Sequence, residues 1–366
     1  MAKTVGVDKW LYFATLGLVV IGLAMVFSAS AVMARENFGS PYYFLTRQAV
    51  YAGGGLVCMT LLMKVNYGRY NRPSVVFPMV GITIMLLLAA FLMRDSHNTH
   101  RWIRFGPLSF QPSEFAKPAL VLFLAWFLQN RMGTIENVRQ TILPAALPSL
   151  IFIALILKEP DLGTALVCAG VTALMLYLAG AQVKYFFIAG AAAAPVLYYM
   201  LFHVAFRKAR MLAFVNPELD PKGAGFHILQ SLIAVGTGGV WGRGLMEGVQ
   251  KLFYLPEPHT DFIYSVISEE LGLIGATAVL ACFCVITWRG LRVSLRAPDS
   301  FGAFLALGLT AMVAVQALVN ISVVLGLMPT KGIPLPFVSF GGSSLLINLV
   351  GMGILLNVSQ HASPEA

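Results

Sequence analysis

Charge is what this sequence has least of. Only 11% of its 366 residues are Asp, Glu, Lys or Arg, where a soluble domain carries about 25%. With 58% hydrophobic residues and a mean hydropathy of +0.78, water is excluded as the main solvent. Cysteine is also sparse. Cys58, Cys168, Cys282 and Cys284 all fall in apolar runs, and the last two stand two apart, so they point in different directions on a helix. That excludes a disulfide framework and a CxxC metal site. The six His residues are scattered. There is no GxxxxGK[ST], HExxH, Rossmann fingerprint or GxSxG, so ATP hydrolysis, zinc proteolysis, dinucleotide redox chemistry and that serine-hydrolase pattern find no support.

What is present is a series of long uncharged runs. A helix needs about 20 apolar residues to cross about 30 Å of hydrocarbon. Runs of that order lie at 10–34, 73–93, 140–157, 162–183, 185–206, 271–288, 300–330 and 332–364, and weaker ones at 48–63 and 118–130. The expectation is an all-α polytopic integral membrane protein, a single domain over 1–366. It has about ten transmembrane helices and a long extracytoplasmic loop, about 204–260, between helices 7 and 8. Lys/Arg bias in the loops orients it. With the N-terminus inside, the inner segments hold eleven basic residues, among them Lys9, Lys64, Arg131, Lys184 and Arg289, against four acids, a net of +7 compared with +2 elsewhere. Both termini are thus expected in the cytoplasm. Ala29-Ser30-Ala31 resembles a signal cleavage site, but the apolar stretch before it exceeds the usual 7–15 residues, so the first helix is expected to be retained. The overall +9 charge is read as a topology signal and implies no nucleic-acid partner.

Five segments spend polar residues, glycine or proline at membrane depth, and this topology puts all five at the outer face. The first is Arg101-Trp102-Ile103-Arg104, running into Gln111-Pro112-Ser113-Glu114. Pro112 and Glu114 suit a first helical turn, and Glu114 shares a helix face with Lys117. A capped helix start with a structural ion pair would explain these. Two cations and an indole on an outward loop suit an interfacial anchor or a lipid-linked phosphate. The second is the turn Lys158-Glu159-Pro160-Asp161, whose charges could simply cap the next helix. The third, from Arg207 to about His259, contains the run His227–Val235, too short to cross and read as re-entrant or interfacial. It continues through Gly236–Gly244, five glycines in nine residues, which either turn the chain or aim backbone N–H groups at an anion. In the fourth, Leu255–Asp261, Thr260 or Asp261 could cap a helix, or Asp261 could be a desolvated general base. The fifth, Lys331–Ser344, holds Pro334 and Pro336, which no regular helix accommodates.

Leu255-Pro256-Glu257-Pro258-His259-Thr260-Asp261-Phe262-Ile263, with Gln250–Tyr254 before it, closely resembles a signature of the SEDS family (shape, elongation, division and sporulation proteins). So does Lys331-Gly332-Ile333-Pro334-Leu335-Pro336-Phe337-Val338-Ser339-Phe340-Gly341-Gly342-Ser343-Ser344. The stretches Arg101-Trp102-Ile103, Gln111-Pro112-Ser113-Glu114 and Glu159-Pro160-Asp161-Leu162-Gly163-Thr164 match in the same order, so the resemblance covers essentially the whole chain. Lys251–Tyr254 and Pro329–Gly332 look more like division members of the family than elongation members. Phe340 departs from the Tyr more usual there and removes a hydroxyl.

The resemblance implies a peptidoglycan glycosyltransferase that polymerises lipid II, the undecaprenyl-pyrophosphate-linked disaccharide pentapeptide. It would act at the outer face of the bacterial plasma membrane during cell division, beside a class B penicillin-binding protein (an FtsI-like transpeptidase) and other divisome membrane proteins at the septum. Asp261 falls on the family's essential acid and is expected to be the general base of an inverting transfer. Candidate substrate-binding residues are Arg101, Trp102, Arg104, Glu114, Lys117, Glu159, Asp161, His259, Lys331, Ser339 and Ser343. No cofactor is firmly implied, and a divalent cation (Mg or Mn) is the candidate. An elongation-type polymerase is the near alternative. From other classes, a lipid II flippase would bring polar features from both faces to the midplane, and a scaffold would recruit a synthase without reacting.

Overall fold

The computed structural model describes residues 6–92, 101–105, 108–135, 137–203, 205–221, 223, 225–252 and 254–362. Twelve α-helices follow one another: α1 Lys9–Phe38, α2 Tyr43–Leu62, α3 Pro73–Ala90, α4 Pro112–Gln129, α5 Leu143–Lys158, α6 Leu162–Leu178, α7 Val183–Phe202, α8 Ala205–Val215, α9 Phe226–Gly238, α10 Ile263–Arg296, α11 Ser300–Val324 and α12 Gly342–His361. Strands β1 (Ile103–Phe105) and β2 (Leu108–Phe110) form an antiparallel hairpin ahead of α4. The chain is thus all-α apart from this small addition.

Seven helices are long and apolar enough to cross a membrane: α1, α3, α5 with its preceding π turn, α7, α10, α11 and α12. Helices α2, α4 and α6 lie on the other three expected runs. Large apolar side chains face outward along the bundle, and α7 buries none of its residues, the reverse of a soluble protein. Inside, hydroxyls bond back to carbonyls one turn earlier, Thr15 to Leu11 and Ser30 to Val26 among them, which satisfies them where water is absent. Ser30 is buried mid-helix in α1, with Ala29 and Ala31 beside it.

Element ends follow local chemistry. Asp8, Asp161 and Asp299 cap α1, α6 and α11 by accepting from N–H groups three residues on, each worth about 1 kcal/mol. Gly39, at φ 72°, closes α1. The uncharged run from 332 yields a helix only from 342, and the segment with Pro334 and Pro336 before it is non-helical, turning at 336–338, as two prolines two apart require. Conversely, α10 starts at Ile263, eight residues before the uncharged run, and continues through a break at Gly272 (φ 65°, ψ −164°). Asp8 Oδ2 pairs with Arg289 at 2.6 Å, and Asp8 N–H donates to Ser359 Oγ at 3.3 Å, so the starts of α1 and the ends of α10 and α12 share one end of the bundle. All five polar segments lie at the other.

Candidate functional site

Hydrogen bonds stitch the five segments together. Ser343 Oγ donates to the Ser109 carbonyl of β2 (3.0 Å) and accepts from Gln111 N–H (3.1 Å). The Gln111 side-chain amide donates to Asp161 Oδ2 at 3.1 Å. Arg101 Nε donates to the Glu159 carbonyl at 2.7 Å, and its Nη2 to that of Pro160. Ser339 Oγ donates to the Thr260 carbonyl at 2.6 Å, and Phe340 N–H to that of His259 at 2.9 Å. Asn320 of α11 donates to the carbonyls of both Asp261 (2.9 Å) and Ile333 (2.7 Å). Asp261 is therefore fixed by its backbone while its side chain carries no hydrogen bond among the described residues. It caps nothing: α10 begins at Ile263, and no side chain caps that end.

The carboxylate opens instead into a cavity of about 440 Å³. Arg101, Arg207, Arg210 and Lys331 supply cations to its wall, and Asp161 a second carboxylate. Gly332 belongs there for a steric reason: a Cβ would stand 2.7 Å from Asp261 Oδ2. Thr330, also on the wall, has a buried hydroxyl without a partner among the described residues.

Burial pushes the Asp261 carboxyl up to about 7, with Glu257 and Asp161 adding to the rise and Arg210 and Arg101 opposing it. Burial together with Arg207 lowers Lys331 to about 8. Glu159 is raised to about 8 by burial and by Asp161, and both its carboxyl oxygens lack partners among the described residues, so it is neutral near pH 7. The site thus holds a poised carboxylate facing cations that suit a leaving group of high negative charge.

Of the residues expected at the site, Asp261, Arg101, Asp161 and Lys331 line this cavity, and the others with described side chains do not. Glu114 and Lys117 form a buried ion pair at 2.8 Å beneath it, and Lys117 also donates to Gln316 at 2.6 Å. Glu159 sits behind Arg101. His259 is buried against Phe44 and Phe340. Ser339 and Ser343 tie segments together. Trp102 is half-buried off the cavity, and the Arg104 side chain lies outside the described residues. Arg207 and Arg210 were missed by sequence reasoning. Their signal is an i,i+3 pair of cations on the short amphipathic α8, inside a loop read only as polar.

The glycine run aims its N–H groups at backbone carbonyls of the chain itself. The break at Gly272 frees the carbonyls of Glu269 and Glu270, which accept from Arg243 and Gly244 N–H at 3.0 Å each. Gly242 and Gly272 pack too closely for a Cβ on either, which would stand 2.1–2.3 Å from backbone atoms. All four cysteines are free. Among the described residues no three His, Cys, Asp or Glu converge as a metal cage. Both Asp161 oxygens already accept hydrogen bonds, so a hard cation in the cavity would take most of its ligands from water and substrate phosphates.

Comparison with known proteins adds the following. The family model described as "Cell cycle protein", covering FtsW, RodA and SpoVE, matches residues 9–364. A probable peptidoglycan glycosyltransferase FtsW of Trichlorobacter lovleyi is 44% identical over 355 residues, 96% of this chain and 93% of that protein. Stage V sporulation protein E of Bacillus subtilis is 42% identical over 98% of this chain and 99% of its own length. Among solved structures, a chain from a peptidoglycan synthase complex that coordinates polymerization and crosslinking superposes with a TM-score of 0.78 at 29% identity, covering 97% of this chain and 98% of that one. Thermus thermophilus rod shape determining protein RodA gives 0.72 at 27% identity over 98% and 99%.

Proposed function

The chain belongs to the FtsW/RodA/SpoVE family, and on that premise we propose that it is a peptidoglycan glycosyltransferase polymerising lipid II, with Asp261 as general base. The observation that carries the reading is the single cavity in which a carboxylate poised near neutrality faces Arg101, Arg207, Arg210 and Lys331. The 4-hydroxyl of the acceptor sugar attacks the anomeric carbon of the donor. Its proton passes to Asp261, the carbon–oxygen bond to the pyrophosphate breaks, and the lipid pyrophosphate leaves. One displacement turns an α-linked donor into a β-1,4 bond, so one base suffices. The four cations stabilise the charge that develops on the leaving group. A divalent cation (Mg or Mn) bound to the substrate phosphates would add to that neutralisation. Gathering of the polar segments at one end supports chemistry at one membrane face and speaks against a transport path through the midplane.

The basic loops at the opposite end support cytoplasmic termini and an extracytoplasmic site. Its likeness to FtsW-named relatives and to a chain of a peptidoglycan synthase complex supports our reading that it works with a class B penicillin-binding protein and other divisome membrane proteins at the septum. The test is polymer formation from purified lipid II by this protein with its cognate class B penicillin-binding protein. Long glycan strands are expected, and their absence from a folded complex refutes the assignment.

The same assay carries a pH prediction. Asp261 must be ionised to accept a proton, so kcat/KM rises through about pH 7. Lys331 must be protonated to neutralise pyrophosphate, so kcat/KM falls above about pH 8. A narrow bell between those limits is expected. A profile flat from pH 6 to 9 excludes both roles.

A further inference from the structure

Glu269 and Glu270 take no part in the cavity, yet both are buried near the outer end of α10, at 0 and 1% exposure. Burying a charge costs several kcal/mol unless it is paired and hydrogen-bonded, and ionisable groups inside membrane helices are kept for a purpose. Here each carboxylate holds a different stretch of the loop that ends at Asp261. Glu269 accepts from the N–H groups of Val249 (2.9 Å) and Gln250 (3.2 Å). Glu270 accepts from Met246 N–H at 3.0 Å and from Lys251 Nζ at 2.6 Å. Ser28 of α1 completes the cluster: its Oγ lies 2.7 Å from both Glu270 oxygens and 2.9 Å from Lys251 Nζ.

Helix α1 touches the other flank of the site as well. At Gly22 a Cβ would stand 2.6 Å from the Phe337 carbonyl oxygen, so the backbone of the Lys331–Gly341 segment rests directly on α1. That segment holds His259 and Thr260 through Phe340 and Ser339. One helix thus seats the loop before Asp261 at Ser28 and the segment carrying Lys331 at Gly22.

We infer that Lys251, Glu270 and Ser28 are positioning residues for the transfer, anchoring the loop to α1 and α10 so that Asp261 stands at the right depth against Lys331. The inference rests on the reading of Asp261 as the base. Misplacement by about 1 Å can cost about 100-fold in rate, so a loosened anchor lowers turnover more than substrate capture.

The test uses full-length protein with its penicillin-binding partner and lipid II, measuring kcat, KM and melting temperature. Lys251→Met/Glu270→Gln removes both charges while keeping volume, and Ser28→Ala keeps the ion pair but cuts the link to α1. The double variant is expected to lose about 10-fold or more in kcat with KM within about 2-fold of wild type, and Ser28→Ala to lose about 3-fold at unchanged melting temperature. Where the double variant does not fold, Ser28→Ala decides: wild-type kcat overturns the inference. Asp261→Asn runs alongside. If it turns over like wild type, the base assignment falls and the positioning role with it. If it is dead while the folded cluster variants keep wild-type kcat, the positioning role alone falls.

Discussion

Asp261→Asn is expected to abolish glycan synthesis while making the protein harder to unfold at alkaline pH. General-base catalysis contributes about 10²–10⁴-fold, and the amide cannot take the proton, so polymer should fall below detection in an assay where wild type gives long strands. The stability effect has the opposite sign. The folded-state pKa of Asp261, about 7, lies above the ordinary aspartate value of 3.8. The folded protein therefore resists ionisation that the unfolded chain undergoes freely. That penalty is nearly absent at pH 4, grows as pH rises, and is complete above about 7. Asparagine escapes it. Thermal melts should show Asp261→Asn close to wild type at pH 4 and more stable by about 1–3 kcal/mol at pH 8, the range allowing for partial exposure to the cavity. A helix-capping aspartate would behave otherwise, because asparagine caps as well, and both activity and stability would then be nearly unchanged.

Lys117→Met should have the largest destabilising effect of any single change proposed. Lys117 and Glu114 are 3 and 2% exposed and 2.8 Å apart. Lys117 also donates to Gln316, whose amide donates to the Pro334 carbonyl at 2.8 Å. Removing the ammonium strands a buried carboxylate, at a cost of about 3–5 kcal/mol. Glu114→Gln/Lys117→Met leaves no uncompensated charge and should recover much of that loss. Melting curves of the purified variants decide between two roles. If Lys117→Met folds as well as wild type and only raises KM for lipid II, the pair reaches substrate and is not the internal strut that links α4 to the Lys331 segment.

The Glu114–Lys117 pair shows what spacing can and cannot tell. Three residues apart on a helix, the two had to be neighbours, and that contact was legible. Whether their shared face met the cavity or the bundle interior depended on how α4 rotates against α11, which no local pattern records. The same applies to His259, Ser339 and Ser343. Their motif marked them as important, but their hydrogen bonds and ring contacts serve the joining of loops. The glycine run was read as either a turn or an anion cradle, and its N–H groups in fact meet the backbone carbonyls of Glu269 and Glu270, about 30 residues further on, at a helix break. Arg207 and Arg210 escaped notice because a short polar helix in a loop looks like a solvated face until something packs opposite it.

Fold class, approximate span positions, the gathering of the polar segments and the choice of Asp261 as the candidate acid were all legible in the sequence. Each follows from a local or periodic property: hydrocarbon thickness sets run length, charge marks one end, proline breaks helices, and a nearly unbroken motif carries family membership. The composition of the cavity was decided only in three dimensions. Its cations come from the segment before β1, α8 and the segment before α12, which are more than a hundred residues apart and meet only because the helices pack. The desolvation that brings Asp261 to about 7 has the same origin, since burial belongs to the assembled bundle and to no stretch of chain alone.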